Sequence, residues 1–147
     1  IYGPRMGMAH VIPEQLRKAH NAENGDSIDV FSVDHTRCFC YIDDAIEMLW
    51  RMMELPECEG MTMNLGTQNP EVSMKQLVET CFIIVNKELK INAMPASPGS
   101  PVRRGPDMAA TSKLIDFESQ VGLKEGIDLT YDWYRKNIFD SEGVSAK

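Results

Sequence analysis

Four prolines fall between Pro95 and Pro106, and no helix or interior strand can run through that stretch. Each pyrrolidine ring fixes φ, removes a backbone donor and pushes the preceding residue out of the helical region. The segment, also rich in Gly and Ser, is therefore a turn-rich connection with folded elements on either side. It closes on Arg103-Arg104-Gly105-Pro106-Asp107.

Before it, strand and helix signals alternate. Pro13 suits the first turn of a helix running to about Ala22, where its missing N–H would be unpaired anyway. Asn24-Gly25-Asp26 reads as a turn. Ile28 and Val30, then Cys38 to Ile42, read as two short strands around the polar loop Ser32 to His35. Asp43 or Asp44 is expected to cap a helix whose apolar stripe is Ala45, Met48, Leu49, Met52 and Met53. Met61 to Leu65 is expected as a strand closed by Gly66. Ser73 and Gln76 have capping-box spacing, ahead of a helix burying Leu77, Val78, Cys81, Ile84 and Val85. Leu89, Ile91 and Ala93 alternate as a strand. After the prolines, a short helix is expected at Ser112 to Phe117. A last helix begins near Leu123, with Ile127, Thr130 and Tyr134 on one face and Gly126 allowing a close approach. Strands alternating with helices indicate the α/β class, yet the strands are too few for a complete doubly wound sheet.

A chain of 147 residues suits one domain with a real core. Fifteen Lys and Arg against 22 Asp and Glu leave a net charge of −7, and no basic run is present. Such a field repels a long polyanion, so nucleic acid is excluded as a partner. No apolar stretch is long enough for a bilayer, and nothing resembles a secretory leader. Cys38 and Cys40 stand one residue apart, short of structural zinc spacing. With Cys58 and Cys81 they read as reduced thiols of a cytoplasmic protein, with no metal.

Against this acidic background two arginine segments stand out, Thr36-Arg37 on a strand and Arg103-Arg104 in the proline-bounded loop. Guanidinium presents a planar fork of donors that matches phosphate oxygens two at a time. A lone surface arginine is most simply an ion pair with a neighbouring carboxylate, and for Arg103 a solvated surface charge is the preferred reading. Asp43-Asp44 reads as helix capping rather than an acid/base dyad. His20 is expected to be exposed on the first helix.

In order, Tyr2-Gly3-Pro4-Arg5, His10-Val11-Ile12-Pro13-Glu14, Asp29-Val30-Phe31, Thr36-Arg37-Cys38-Phe39-Cys40-Tyr41-Ile42-Asp43-Asp44-Ala45, Asn64-Leu65-Gly66, Arg104-Gly105-Pro106-Asp107 and Gly122 to Ile127 resemble the NAD-dependent epimerase/dehydratase family. These are extended short-chain dehydrogenases acting on nucleotide sugars. The resemblance runs from Ile1 to about Phe139 and is to the family's second, substrate-binding half. It implies small sheets with packed helices and an incomplete Rossmann sheet. Residues 1–139 would form a nucleotide-sugar binding domain and 140–147 a disordered tail, with the dinucleotide-binding half absent. The start at Ile1, without an initiator Met, fits a piece of a larger protein.

The resemblance further implies that Arg37 and Arg104 grip a nucleoside diphosphate, Asp107 reaches the ribose, and His10, Val11, Val30 and Phe31 flank the base. Phe31 reads equally as a core aromatic. Phe39 stands where UDP-glucose 4-epimerase has a ligand-touching Tyr. No glycine-rich dinucleotide turn occurs in the sequence, nor the family's Tyr with Lys four residues on; Tyr131 is followed by Arg135 and Tyr134 by Ile138. NAD is thus expected in an intact enzyme but not on this chain, which by itself would carry no catalytic residue. The other reading is a stand-alone binding module that self-associates through an exposed apolar surface, supplied by the methionines at 48–53 and 61–63.

Overall fold

Turn chemistry and helix capping locate the elements in a computed structural model, which describes residues 1–142. Helix α1 (Val11–Asn21) carries Pro13 in its first turn and points Ile12, Leu16 and Ala19 fully inward. Gly25, at φ +96, reverses the chain into β1 (Ser27–Phe31). There Ile28 and Val30 alternate inward from exposed neighbours. β1 pairs in parallel with β4 (Lys90–Met94), Val30 opposite Ala93. The crossover between them includes α3 (Met74–Val85), which buries Leu77, Val78, Cys81, Phe82 and Val85. Its start is fixed by a reciprocal pair: Ser73 Oγ accepts from Gln76 N at 3.1 Å, and Gln76 Oε1 accepts from Ser73 N at 2.9 Å.

A second sheet has β2 (Thr36–Cys38) at its centre. β3 (Glu71–Ser73) runs antiparallel on one side and β5 (Arg103–Arg104) parallel on the other. Helices α2 (Ile42–Glu54), α4 (Ala109–Ile115) and α5 (Leu123–Tyr134) follow the strands, and a π turn at Arg135–Phe139 leads to the last turn, α6 (Asp140–Glu142). The main core gathers α1, α3, α5 and the inner face of β1, while Met48, Met108 and Ile115 form a smaller cluster between α2 and α4. Among the described residues, no helix is long and apolar enough to cross a membrane.

Several expectations need correction. Tyr41, not Asp43 or Asp44, sits at the N-cap of α2. Asp44 is buried instead, its Oδ2 accepting from Gln120 N at 3.1 Å and Val121 N at 2.9 Å. The inward stripe of α2 is Ala45, Met48 and Met52; Leu49 and Met53 face outward with Ile46 and Trp50. Met61 to Leu65 is not a strand, because no described strand lies beside it. Side chains tie it down instead, Asn64 Nδ2 donating to Asp107 O at 2.8 Å and Thr111 Oγ1 to Asn64 O at 3.0 Å. The strand expected at Cys38 to Ile42 ends at Cys38, and Tyr41 makes a lone bridge to Tyr2. The short helix begins at Ala109 rather than Ser112. His20 is half-buried, its Nδ1 2.9 Å from the Tyr131 hydroxyl. Of the expected tail, Asp140–Glu142 is helical and residues 143–147 lie outside the described residues.

Gly126 marks the tightest approach. A Cβ there would lie 2.1 Å from the Tyr2 hydroxyl oxygen and 3.0 Å from a Tyr41 ring carbon. Tyr2 is itself fixed by a hydroxyl bond to Leu123 O at 3.2 Å and an edge-on contact with Tyr41 at 5.7 Å. Gly126→Ala gains up to about 1 kcal/mol of helix propensity and loses more to overpacking, for a net loss of about 1–2 kcal/mol in a denaturant titration. Asp44→Ala orphans two backbone donors. We expect a loss of about 1–3 kcal/mol for each donor that water does not reach, larger than for Asp44→Asn, which retains an acceptor oxygen.

Candidate anion-binding site

The register of β2 and β5 sets Arg37 opposite Arg104 and Thr36 opposite Arg103. Side chains alternate along a strand, so each opposed pair shares one face of the sheet. On the Thr36 face, Glu71 takes both neighbours. Arg103 Nη2 lies 2.7 Å from Oε2, Arg103 Nε donates to both oxygens at 2.9 Å, and the Thr36 hydroxyl donates to Oε1. The hydrogen bonds from Arg103, then Thr36, lower the Glu71 pKa. Arg103, expected as a solvated surface charge, is exposed but paired with Glu71.

The other face has no such compensation. Among the described residues, no carboxylate forms an ion pair with Arg37 or Arg104. Arg37 Nη1 donates to Thr36 O at 2.7 Å and Val102 O at 3.4 Å, and Nη2 donates to Ser100 Oγ at 3.1 Å. Burial, followed by the like charge of Arg104, lowers the pKa of Arg37. Two guanidinium groups side by side repel one another, and an anion between them relieves that repulsion. Arg104 is exposed, so its donors are open to solvent or ligand.

Beside this pair lies a cavity of about 740 Å³. Its walls come from Tyr2, His10 and Val11 at the start of α1, Arg37 and Phe39, Leu65 to Thr67, and Arg104 to Pro106. Five of the expected residues, His10, Val11, Arg37, Phe39 and Arg104, therefore line one space. Three do not. Val30 turns into the main core, and Phe31 is 51% exposed at the end of β1, which removes the core-aromatic reading for it. Asp107 borders a separate depression with Arg103, its Oδ1 accepting from Ala109 N at 3.0 Å.

Sequence reasoning missed Ser100 and Thr67. Nothing local distinguishes Ser100 from other loop serines; only its contact with Arg37 does. Thr67 follows Gly66, whose φ of +151 and closeness to Pro106 (3.5 Å from a built Cβ) turn the chain along the cavity wall. A second cavity, about 660 Å³, shares Gly66 and Thr67 and runs between α2 and α4. It has Lys113 but no paired cations, and it is flanked by Asp116 and Glu118.

A dinucleotide pyrophosphate would need a glycine-rich turn between a strand and the helix that follows it. The junctions here are Phe39 to Tyr41 before α2, the direct join of Ser73 to Met74 before α3, and Gly105 to Met108 before α4. None has that form.

Residues 1–66 match the family described as NAD dependent epimerase/dehydratase. UDP-glucuronic acid decarboxylase 5 of Arabidopsis thaliana is 30% identical over 141 residues, covering 93% of this chain and 39% of the relative. The chain thus spans about two fifths of the curated relatives it matches. Among solved structures, UDP-glucuronic acid 4-epimerase from Bacillus cereus, in complex with UDP-glucuronic acid and NAD, superposes with a TM-score of 0.81. It is 23% identical, with 92% of this chain and 42% of that one covered. UDP-glucose 4-epimerase from Thermotoga maritima, with UDP-glucose, gives a TM-score of 0.80 at 23% identity, covering 93% and 44%. At that identity the superpositions establish the fold.

Proposed function

Since the chain belongs to the NAD-dependent epimerase/dehydratase family, we propose that it grips the nucleoside diphosphate of a nucleotide sugar. Arg37 and Arg104 bind the diphosphate, while His10, Val11 and Phe39 border the remainder of the ligand. The observation that carries this reading is the uncompensated guanidinium pair at the wall of a ligand-sized cavity. Relatives named as UDP-sugar decarboxylases and epimerases support the ligand class. Residues 1–139 act as the nucleotide-sugar binding domain of an NAD-dependent isomerase or lyase. Redox chemistry on the sugar depends on NAD and on groups we do not assign to this chain. Phe31 and Asp107 are retained as neighbours of the base and ribose for a ligand that extends past the cavity's edge, and Val30, its side chain in the main core, through its backbone alone. The four free thiols fit a reducing, cytoplasmic setting.

Calorimetry of the 147-residue chain with UDP, dTDP, GDP and CDP tests the grip. Charge-assisted hydrogen bonds contribute about 1.5–3 kcal/mol each, so Arg37→Gln and Arg104→Gln should each weaken the best ligand by about 10- to 100-fold. Arg103→Gln should change it little. Equal binding of the diphosphate and its parent nucleoside would sink the reading.

A second reading, self-association, rests on a different observation. Ile46, Leu49, Trp50 and Met53 are 50–73% exposed and recur at helical spacing along α2. Met48, expected on this surface, is buried, whereas Met61 is exposed. Sedimentation across the micromolar range should show a homo-oligomer that Trp50→Glu disperses; a monomer at every concentration refutes it.

A further inference from the structure

The hydroxyl of Ser100 touches the one arginine of the pair that is partly buried. Ser100 Oγ accepts from Arg37 Nη2 at 3.1 Å and lies 3.2 Å from His35 Nδ1. Ser100 ends a turn in which its N–H donates to Ser97 O at 3.1 Å, across Gly99 at φ +75. The residues from Pro95 to Gly99, and Pro101 and Val102 after it, are exposed. Pro101 follows Ser100 directly, the dipeptide that proline-directed protein kinases recognise in open loops. A serine in such a loop, with its oxygen already against a guanidinium, has a ready-made receptor for a phosphate.

We propose that Ser100 is a phosphorylation site whose phosphate occupies the Arg37–Arg104 pair and so shuts out the diphosphate ligand. In the modification, the γ-phosphoryl group of ATP passes to Ser100 Oγ. The bond from that phosphorus to ADP breaks, the Oγ–P bond forms, and the hydroxyl proton is released to water through the kinase's base. The product carries about −1.5 to −2 charge and three outer acceptor oxygens. Those oxygens lie two bonds beyond Oγ, toward Arg37 and its register partner Arg104. Opposite a guanidinium cluster such a group forms new charge-assisted bonds. The blocking effect rests on the diphosphate reading above; the seating of the phosphate on Arg37 does not.

Ser97 provides an internal control. It too precedes a proline, but the structure ties it through its backbone N–H to Ser32 Oγ at 3.1 Å, not to Arg37.

The full 147-residue chain is treated with ATP and a proline-directed kinase, and phosphopeptides are mapped by mass spectrometry. UDP is then titrated into treated and untreated wild type, Ser97→Ala and Ser100→Ala. Phosphate is expected on Ser100, with UDP affinity falling at least tenfold on treatment of wild type and Ser97→Ala but not of Ser100→Ala. The ³¹P resonance of phosphorylated Ser100 should also titrate at lower pH in wild type than in Arg37→Gln. An unmodified Ser100, an unchanged UDP affinity after modification, or equal ³¹P midpoints overturns the proposal. If untreated wild type binds no UDP, the diphosphate reading fails by itself, and the ³¹P comparison still decides where the phosphate sits.

Discussion

A ladder of two residues, β5 against β2, brings together side chains 67 positions apart, and every feature of the anion site depends on its register. A slip of one residue would turn Arg104 to the Glu71 face and Arg103 to the cavity, exchanging their surroundings. Two neighbouring arginines make that slip chemically cheap, so something must forbid it. Glu71 does so from β3. Its carboxylate reaches across the central strand to Arg103 while also receiving the Thr36 hydroxyl. An exposed ion pair adds little stability, but here it selects which arginine faces which way. Thr36 N, donating to Val102 O at 2.8 Å, anchors the same junction from the backbone.

Behind the cavity the support is aromatic. Tyr2 meets Phe39 edge-on at 6.3 Å and Tyr41 at 5.7 Å, and the glycine at 126 lets α5 lie against Tyr2 and Tyr41. Because Phe39 follows β2 directly, the same contacts that bury Tyr2 fix the exit of the strand bearing Arg37. The segment around Tyr2, α5 and the cavity wall are therefore one mechanical unit. Burial of Tyr2 raises its pKa, which keeps the phenol neutral and its bond to Leu123 O intact through the physiological range.

What the sequence disclosed was mostly local. The Ser73–Gln76 cap was legible because both partners lie within one turn, and α1, α3 and α5 because their apolar residues keep a single period. Helix α2 was legible as a helix but not in orientation: apolar residues cover both sides, so periodicity cannot say which side is inside. Asp44 misled for a different reason. An acid near a helix start looks like a cap, and its true partners sit 76 and 77 residues away. Met61 to Leu65 has the composition of a strand but, among the described residues, no neighbour to pair with. Convergence of Arg37 and Arg104 was reachable only through the ordered family motifs, since no spacing rule links positions so far apart. Ser100 shares its sequence signal, a following proline, with Ser97, and its contact with Arg37 is what separates the two.

Helix α2 has one face in the small cluster with Met108 and Ile115 and the other, through Ile46, Leu49, Trp50 and Met53, in water. The outward four lend little to this unit's own core, so replacing them scarcely disturbs its folding. Natural selection on the two sides is thereby uncoupled. Change at Met48 is limited by the fold, whereas the packing of the described residues sets no such limit on Trp50.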